Sequence, residues 1–183
     1  MRTLSPFVTA YSCVTAIRLG VGGLLQALRH NRGGLRRLNG CLPDLDTFVG
    51  QVDGVEDVTL PNALSQYDCR NNRLAEQALG QPGFLEQVAR ARQDYGAARV
   101  GVLLGTSTSG IASAESAYQN KRDDGTLPQD FNFRTTHELA SLSDYVRERL
   151  ALKGPHFTIS TACSSSAKTF VDAAQLISAG LCD

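Results

Sequence analysis

The 183-residue sequence predicts an α/β protein, with a mixed, mainly parallel sheet and helices on both of its faces. Three observations carry this. Apolar residues alternate along the chain between strand-like and helix-like spacing. Residues 99–104 form a short apolar run flanked by glycines, the pattern of a strand buried on both faces. Residues 157–160 run through a serine-rich turn directly into a helical pattern.

In chain order, residues 8–11 read as a first strand. Residues 22–30 read as a helix with Leu24, Leu25 and Leu28 on its apolar face. Residues 31–60 are loop-rich, with short strand pairing expected at 47–52. Helices are expected at 67–79 and, after Pro82, at 84–95. A short helix at 112–120 and a polar loop at 121–128, containing Asp123-Asp124-Gly125, follow the buried strand. Residues 136–150 read as a helix with Leu139, Leu142, Tyr145, Val146 and Leu150 on one face. Residues 157–160 are a strand, and 164–179 a helix whose apolar positions are Ala167, Phe170, Val171, Ala174 and Ile177.

Lys plus Arg and Asp plus Glu number 18 each, so the net charge is zero. Nothing in that balance favours nucleic acid or a membrane surface as a partner. No apolar run approaches the ~20 residues that cross a bilayer. The N-terminus is a poor signal peptide, which implies a cytoplasmic protein. The five cysteines, Cys13, Cys41, Cys69, Cys163 and Cys182, are odd in number and irregularly spaced. With no Cys-x-x-Cys pair and with His30, His137 and His156 scattered singly, no metal or other cofactor is expected. Disulfides are not expected in a reducing compartment.

Cys163 stands apart. It falls where a β-branched strand meets a helix start, within Thr161-Ala162-Cys163-Ser164-Ser165-Ser166. Backbone N–H groups at a helix start lack intrahelical partners, and the helix dipole adds positive potential. Both favour a thiolate, the nucleophilic form of cysteine. The adjacent amides are placed to receive a developing oxyanion.

This hexapeptide resembles the nucleophile motif of the β-ketoacyl-(acyl carrier protein) synthases, the condensing enzymes of fatty-acid and polyketide synthesis. Phe7-Val8-Thr9-Ala10-Tyr11 with Gly20-Val21-Gly22-Gly23-Leu24-Leu25-Gln26-Ala27-Leu28-Arg29 is similar to that family's first strand and helix. Gly33-Gly34-Leu35 resembles the following turn, and the segment from Val100 to Gly110 resembles the third strand and its small-residue turn. Gly154-Pro155-His156-Phe157-Thr158-Ile159-Ser160 matches the approach to the nucleophile. The likeness runs in the family's order from about residue 6 to the last residue.

The resemblance implies the N-terminal half of a thiolase-like layered fold, with residues 1–183 as one domain ending before the C-terminal half. The histidine pair, the lysine and the glycine-rich loop that relatives use lie in that second half. Cys163 would accept an acyl group from acyl carrier protein as a thioester. Decarboxylated malonyl-carrier protein would then attack it in a Claisen condensation. Thr106, Ser107 and Thr108 would border the acyl-chain pocket, with Thr108 nearest the position that limits chain length. Phe133, or Phe131, would reach the partner subunit's pocket. A homodimer joined along the strand at 157–160 is implied. These residues alone, without the second half, are expected to be inactive in condensation.

Other features carry plainer readings. His156, beside Pro155, reads as structural. Arg29, Arg32, Arg36 and Arg37 read as a solvated basic face, and Arg70 and Arg73 are the nearest basic residues to the family's carrier-docking position. Lys168 lies one helical turn beyond Cys163. Two other functions stay open: a non-catalytic partner subunit or inactive fragment, and a cysteine hydrolase using His137 or His156 as base.

Overall fold

A computed structural model describes residues 6–37 and 46–183. Cys41 lies outside them. The elements in order are α1 (Val21–Arg29), β1 (Leu35–Arg37), β2 (Phe48–Gly50), a 3-10 segment (Asn62–Tyr67), α2 (Arg70–Leu79) and α3 (Phe84–Tyr95). Then follow β3 (Val102–Gly105), α4 (Ile111–Gln119), α5 (Phe133–Thr136), α6 (Ala140–Arg149), β4 (His156–Ile159), a 3-10 turn (Ala162–Ser164) and α7 (Ser165–Ser178).

β3 and β4 pair in parallel, from Val102 opposite His156 to Gly105 opposite Ile159. The ladder is extended at its ends by Val102 N–H to the Pro155 carbonyl (2.8 Å) and Thr106 N–H to the Ile159 carbonyl (3.1 Å). Parallel strands need a long crossover, and the segment carrying α4, α5 and α6 provides it. Side chains alternate across a strand. Val102 and Leu104 face the core beside Leu142, Tyr145 and Val146 of α6, whereas Gly105 faces the start of α7. This pair therefore carries helices on both faces, as expected.

The wider sheet differs from the expectation. Among the described residues the strands form two two-stranded sheets, the antiparallel β1–β2 hairpin and the parallel β3–β4 pair. The first strand expected at 8–11 has no ladder partner among the described residues; the nearest pairing there is a single antiparallel bridge between Val14 and Leu19. A strand exists only through a neighbour's hydrogen bonds, and Phe7, Val8 and Tyr11 are exposed.

The core is formed by Leu60, Leu64, Tyr67, Leu79, Val102, Leu142, Tyr145, Val146 and Leu152, flanked by Phe84, Leu85 and Val88 of α3. Two expected helices are interrupted. The one at 67–79 breaks at Cys69, whose backbone is extended. The buried Asn72 side chain takes the Tyr67 carbonyl (2.9 Å) and also donates to Ser141 Oγ of α6 (3.0 Å). The one at 136–150 splits into α5 and α6. There Ser109 Oγ donates to the Glu138 carbonyl (3.1 Å), which keeps only a tight bond from the Ser141 N–H three residues on (3.0 Å), and Ser141 Oγ donates to the Thr135 carbonyl. Leu139, expected on the apolar face, is exposed as a result.

Two further faces are turned from their expected orientation. On α1, Ala27 is buried while Leu25 and Leu28 are exposed. On α7, Ser165 is buried and Thr169, Asp172, Ala173 and Leu176 are half-buried on the same helical stripe. Ala174 and Ile177 are also half-buried, but Phe170 and Val171 are 63% and 49% exposed.

A polar bracket ties α2 to α6. The Tyr145 hydroxyl donates to Glu76 (2.5 Å), and Arg149 holds the same carboxylate through Nη2 (2.9 Å) and Nε (3.0 Å). Nearby, the Tyr67 hydroxyl donates to Glu148 (3.0 Å). Burial first, then the Glu148 bond, pushes the Tyr67 phenol up to about 12, and burial with Glu76 raises Tyr145 as well. The folded chain thus keeps phenolic protons that the unfolded chain releases above about pH 10. Their contribution is fully present below that pH and is lost as the pH rises through the folded value near 12. We expect urea unfolding midpoints to fall between about pH 10 and about pH 12, and Tyr67→Phe to flatten that fall. An identical fall in wild type and variant would refute the assignment.

Candidate active site

Cys163 sits in the middle of the 3-10 turn that joins β4 to α7. β4 ends at Ile159, and the chain reverses through Ala162, whose φ of +51° is left-handed for a residue with a Cβ. That conformation costs about 1–2 kcal/mol in isolation, so the surroundings must hold it. Ser164 N–H donates to the Thr161 carbonyl (3.2 Å), and Ser164 Oγ donates to the same carbonyl (2.8 Å). Thr161, Ala162, Cys163 and Ser164 are all exposed. The strand–turn–helix placement read from the sequence is therefore what the structure shows.

The other described thiols are situated differently. Cys69 and Cys182 are buried and Cys13 is half-buried. Burial pushes the Cys69 and Cys182 thiols up. Among the described cysteines, Cys163 alone is exposed.

A second feature is an open cleft of about 750 Å³ beside β4. Ser107, Thr108 and Phe133 all line it, with His137, His156 and Thr158 among its other walls. The structure thus brings together three residues that sequence reasoning had grouped only by resemblance. Thr106 does not line the cleft; its Oγ1 accepts from Ser109 N–H (3.1 Å) and caps the turn from within. Phe133 is 58% exposed and meets the His137 ring edge-on at 5.2 Å. Phe131 lines a separate cavity with Arg70 and Arg73. Cys163 does not line the cleft.

The two walls of the cleft are fastened to each other. Ser109 has a φ of +48° and donates through Oγ to the Glu138 carbonyl (3.1 Å). A Cβ on Gly110 would lie 1.6 Å from the Thr136 carbonyl oxygen, so only glycine fits there. Sequence reading passed over Ser109; its sole signal is a place among small residues after a strand.

The remaining candidates resolve as partners of near neighbours. His156 Nε2 lies 3.0 Å from Asp144 Oδ1, which agrees with a structural role. Lys168 pairs with Asp172, one turn along α7. Arg70 and Arg73 pair with Glu56 at 2.8 and 3.3 Å, and Arg73 also with Asp68 at 2.6 Å. Arg36 and Arg37 pair with Asp53 and Asp46. No described helix is long and apolar enough to cross a membrane, and the described residues hold no cluster of metal-ligating side chains.

Comparison with known proteins places this architecture. No curated protein matches the chain significantly. Among solved structures, it is similar to the ketosynthase ApeO in complex with its chain length factor ApeC from Xenorhabdus doucetiae. That match has 30% identity and a TM-score of 0.81, and covers 97% of this chain and 44% of the other. The ishigamide ketosynthase/chain length factor matches at 19% identity and TM-score 0.68, covering 94% and 48% of the two chains. The ketosynthase from module 1 of the bacillaene synthase of Bacillus amyloliquefaciens FZB42 matches at 15% identity and TM-score 0.63, covering 93% and 29%. The last two show the shared fold. The chain spans less than half the length of each of these structures. The family model for the β-ketoacyl synthase N-terminal domain matches residues 7–183, and the chain belongs to that family.

Proposed function

We propose that this chain is the nucleophile-bearing N-terminal domain of a β-ketoacyl-(acyl carrier protein) synthase, acting in cytoplasmic fatty-acid or polyketide synthesis, including the aryl-polyene type. The observation that carries the reading is the placement of Cys163, exposed on a sharp strand-to-helix turn, while Cys69 and Cys182 are buried. The Cys163 thiolate attacks the thioester carbonyl of acyl-carrier protein. A new C–S bond forms, the carrier's C–S bond breaks, and the carrier leaves as a thiolate that takes a proton from solvent. Malonyl-carrier protein then loses carbon dioxide. The resulting carbanion attacks the Cys163 thioester, releasing β-ketoacyl-carrier protein and restoring the thiolate. The Cys163 backbone N–H serves as one oxyanion donor. Ser107, Thr108 and Phe133 border the acyl chain, a reading supported by their shared cleft. Thr106 supports that wall from behind, through its bond to Ser109.

A non-catalytic partner subunit is the competing reading. Such subunits typically lack the nucleophilic cysteine, and Cys163 is present here. For assembly, we propose a two-fold dimer along the free edge of β4, which pairs with β3 on one side only among the described residues. The Xenorhabdus ketosynthase assembles with a chain length factor; a second copy of this chain is the partner proposed here. Sedimentation of the full-length protein at micromolar concentration should give a dimer, and a monomer would remove the idea.

In competitive iodoacetamide labelling read by mass spectrometry, Cys163 should be modified first, and Cys163→Ala should abolish acyl transfer. Faster labelling of Cys13, Cys69 or Cys182 would count against the assignment. Supplied with acyl- and malonyl-carrier protein, these residues alone should become acylated on Cys163 yet form no β-ketoacyl product. General acid–base groups contribute about 10²–10⁴-fold each, and the family's histidine pair is not in this stretch. Turnover at the rate of a full-length ketosynthase would overturn that division of labour.

A further inference from the structure

We infer that Ser165 is a positioning residue that holds the Cys163 turn in its working shape, an inference that rests on Cys163 being the nucleophile. Ser165 is 4% exposed, although every residue from Thr161 to Ser164, and Ser166 after it, is exposed. It is the single buried anchor of an otherwise open turn. Its hydroxyl has both roles filled by backbone of that turn. Oγ accepts from Thr161 N–H at 2.9 Å and donates to the Ala162 carbonyl at 2.8 Å. One hydroxyl therefore spans the two residues that precede Cys163 and fixes them to the first residue of α7.

What it holds is strained. Ala162, with a φ of +51°, lies between the two backbone groups that Ser165 engages. Without the hydroxyl, the Thr161 N–H loses its partner and the Ala162 carbonyl keeps only the Ser165 backbone N–H, so the brace across Ala162 is gone and water can take its place in an exposed turn. The turn is then free to leave the left-handed conformation, and the Cys163 thiol and backbone N–H swing with it. Ser165 is itself fixed from below: a Cβ on Gly105 would lie 2.8 Å from its carbonyl carbon, so α7 is seated directly on the strand end. The clamp is thus referenced to β3 and not to the exposed side of the turn. Displacing a reacting group by about 1 Å costs on the order of 10²-fold in rate.

The test uses the full-length enzyme and follows acylation of Cys163 by acyl-carrier protein. Ser165→Ala should lower the acylation rate by about tenfold or more while half-saturation stays within about twofold, because only the reacting geometry changes. Adding Ala162→Gly, which removes the cost of a positive φ, should recover part of the lost rate. Loss of rate without recovery would make Ser165 a packing residue and overturn the proposal. So would a wild-type rate in Ser165→Ala, provided that Cys163→Ala does not acylate. Acylation that persists in Cys163→Ala would instead defeat the nucleophile reading. Hydrogen exchange on the unmutated protein gives a second test that needs no variant to fold. The Thr161 amide, exposed but bonded to Ser165, should exchange far more slowly than an open loop amide, and exchange at the open-loop rate would equally overturn the clamp.

Discussion

The seating of α7 on the end of β3 is the contact on which the rest of the structure depends. At Gly105 a side chain would run into the backbone of Ser165 and Ser166, at 2.8 to 3.0 Å. With hydrogen in its place, helix and strand approach backbone to backbone. Gly105 is also the ladder partner of Ile159, so one point registers β3, β4 and the helix that follows the nucleophile turn. Close approach selects small and polar residues on the contacting face. This is why Ser165, Thr169 and Ala173 turn inward on α7 and Phe170 and Val171 turn outward.

The opposite face of β3 is held by different chemistry. Val102 and Leu104 meet Leu142, Tyr145 and Val146 in an ordinary apolar core. The helices around it are cross-linked by polar groups, the buried Asn72 to Ser141 and the half-buried Glu76 to Tyr145 and Arg149. A satisfied polar network of this kind adds directionality that apolar contact lacks. It fixes the orientation of α6 relative to α2, and α6 in turn contributes Ser143 and Asp144 to the cleft wall.

Much of this was legible in the sequence. The bounds of α3 emerge as expected, and those of α1, β4 and α7 fall within a residue or so of their expected places. The placement of Cys163 was readable because a β-branched run, small residues and a helical pattern all agree locally. What stayed hidden depends on distant partners. The breaks at Cys69 and at His137 to Leu139 arise from side chains of Asn72, Ser109 and Ser141 that capture backbone carbonyls. Hydrophobic periodicity does not register such bonds. It also put Phe170 and Val171 on the covered face of α7, because it weighs apolar residues and not the closeness of packing. The strand expected at 8–11 had the right composition, but composition supplies no hydrogen-bonding neighbour.

The fastening of Gly110 to Thr136 and of Ser109 to Glu138 has a consequence for how this cleft diverges among related proteins. Thr108 and Phe133 lie on segments that share those two attachments, so neither wall relaxes without carrying the other. Residues coupled through a shared backbone contact do not respond independently to substitution. A bulkier residue at position 108 is therefore felt at position 133, and the acceptable identities at the two sites are linked. Paired exchanges across the two walls should therefore be tolerated better than either exchange alone.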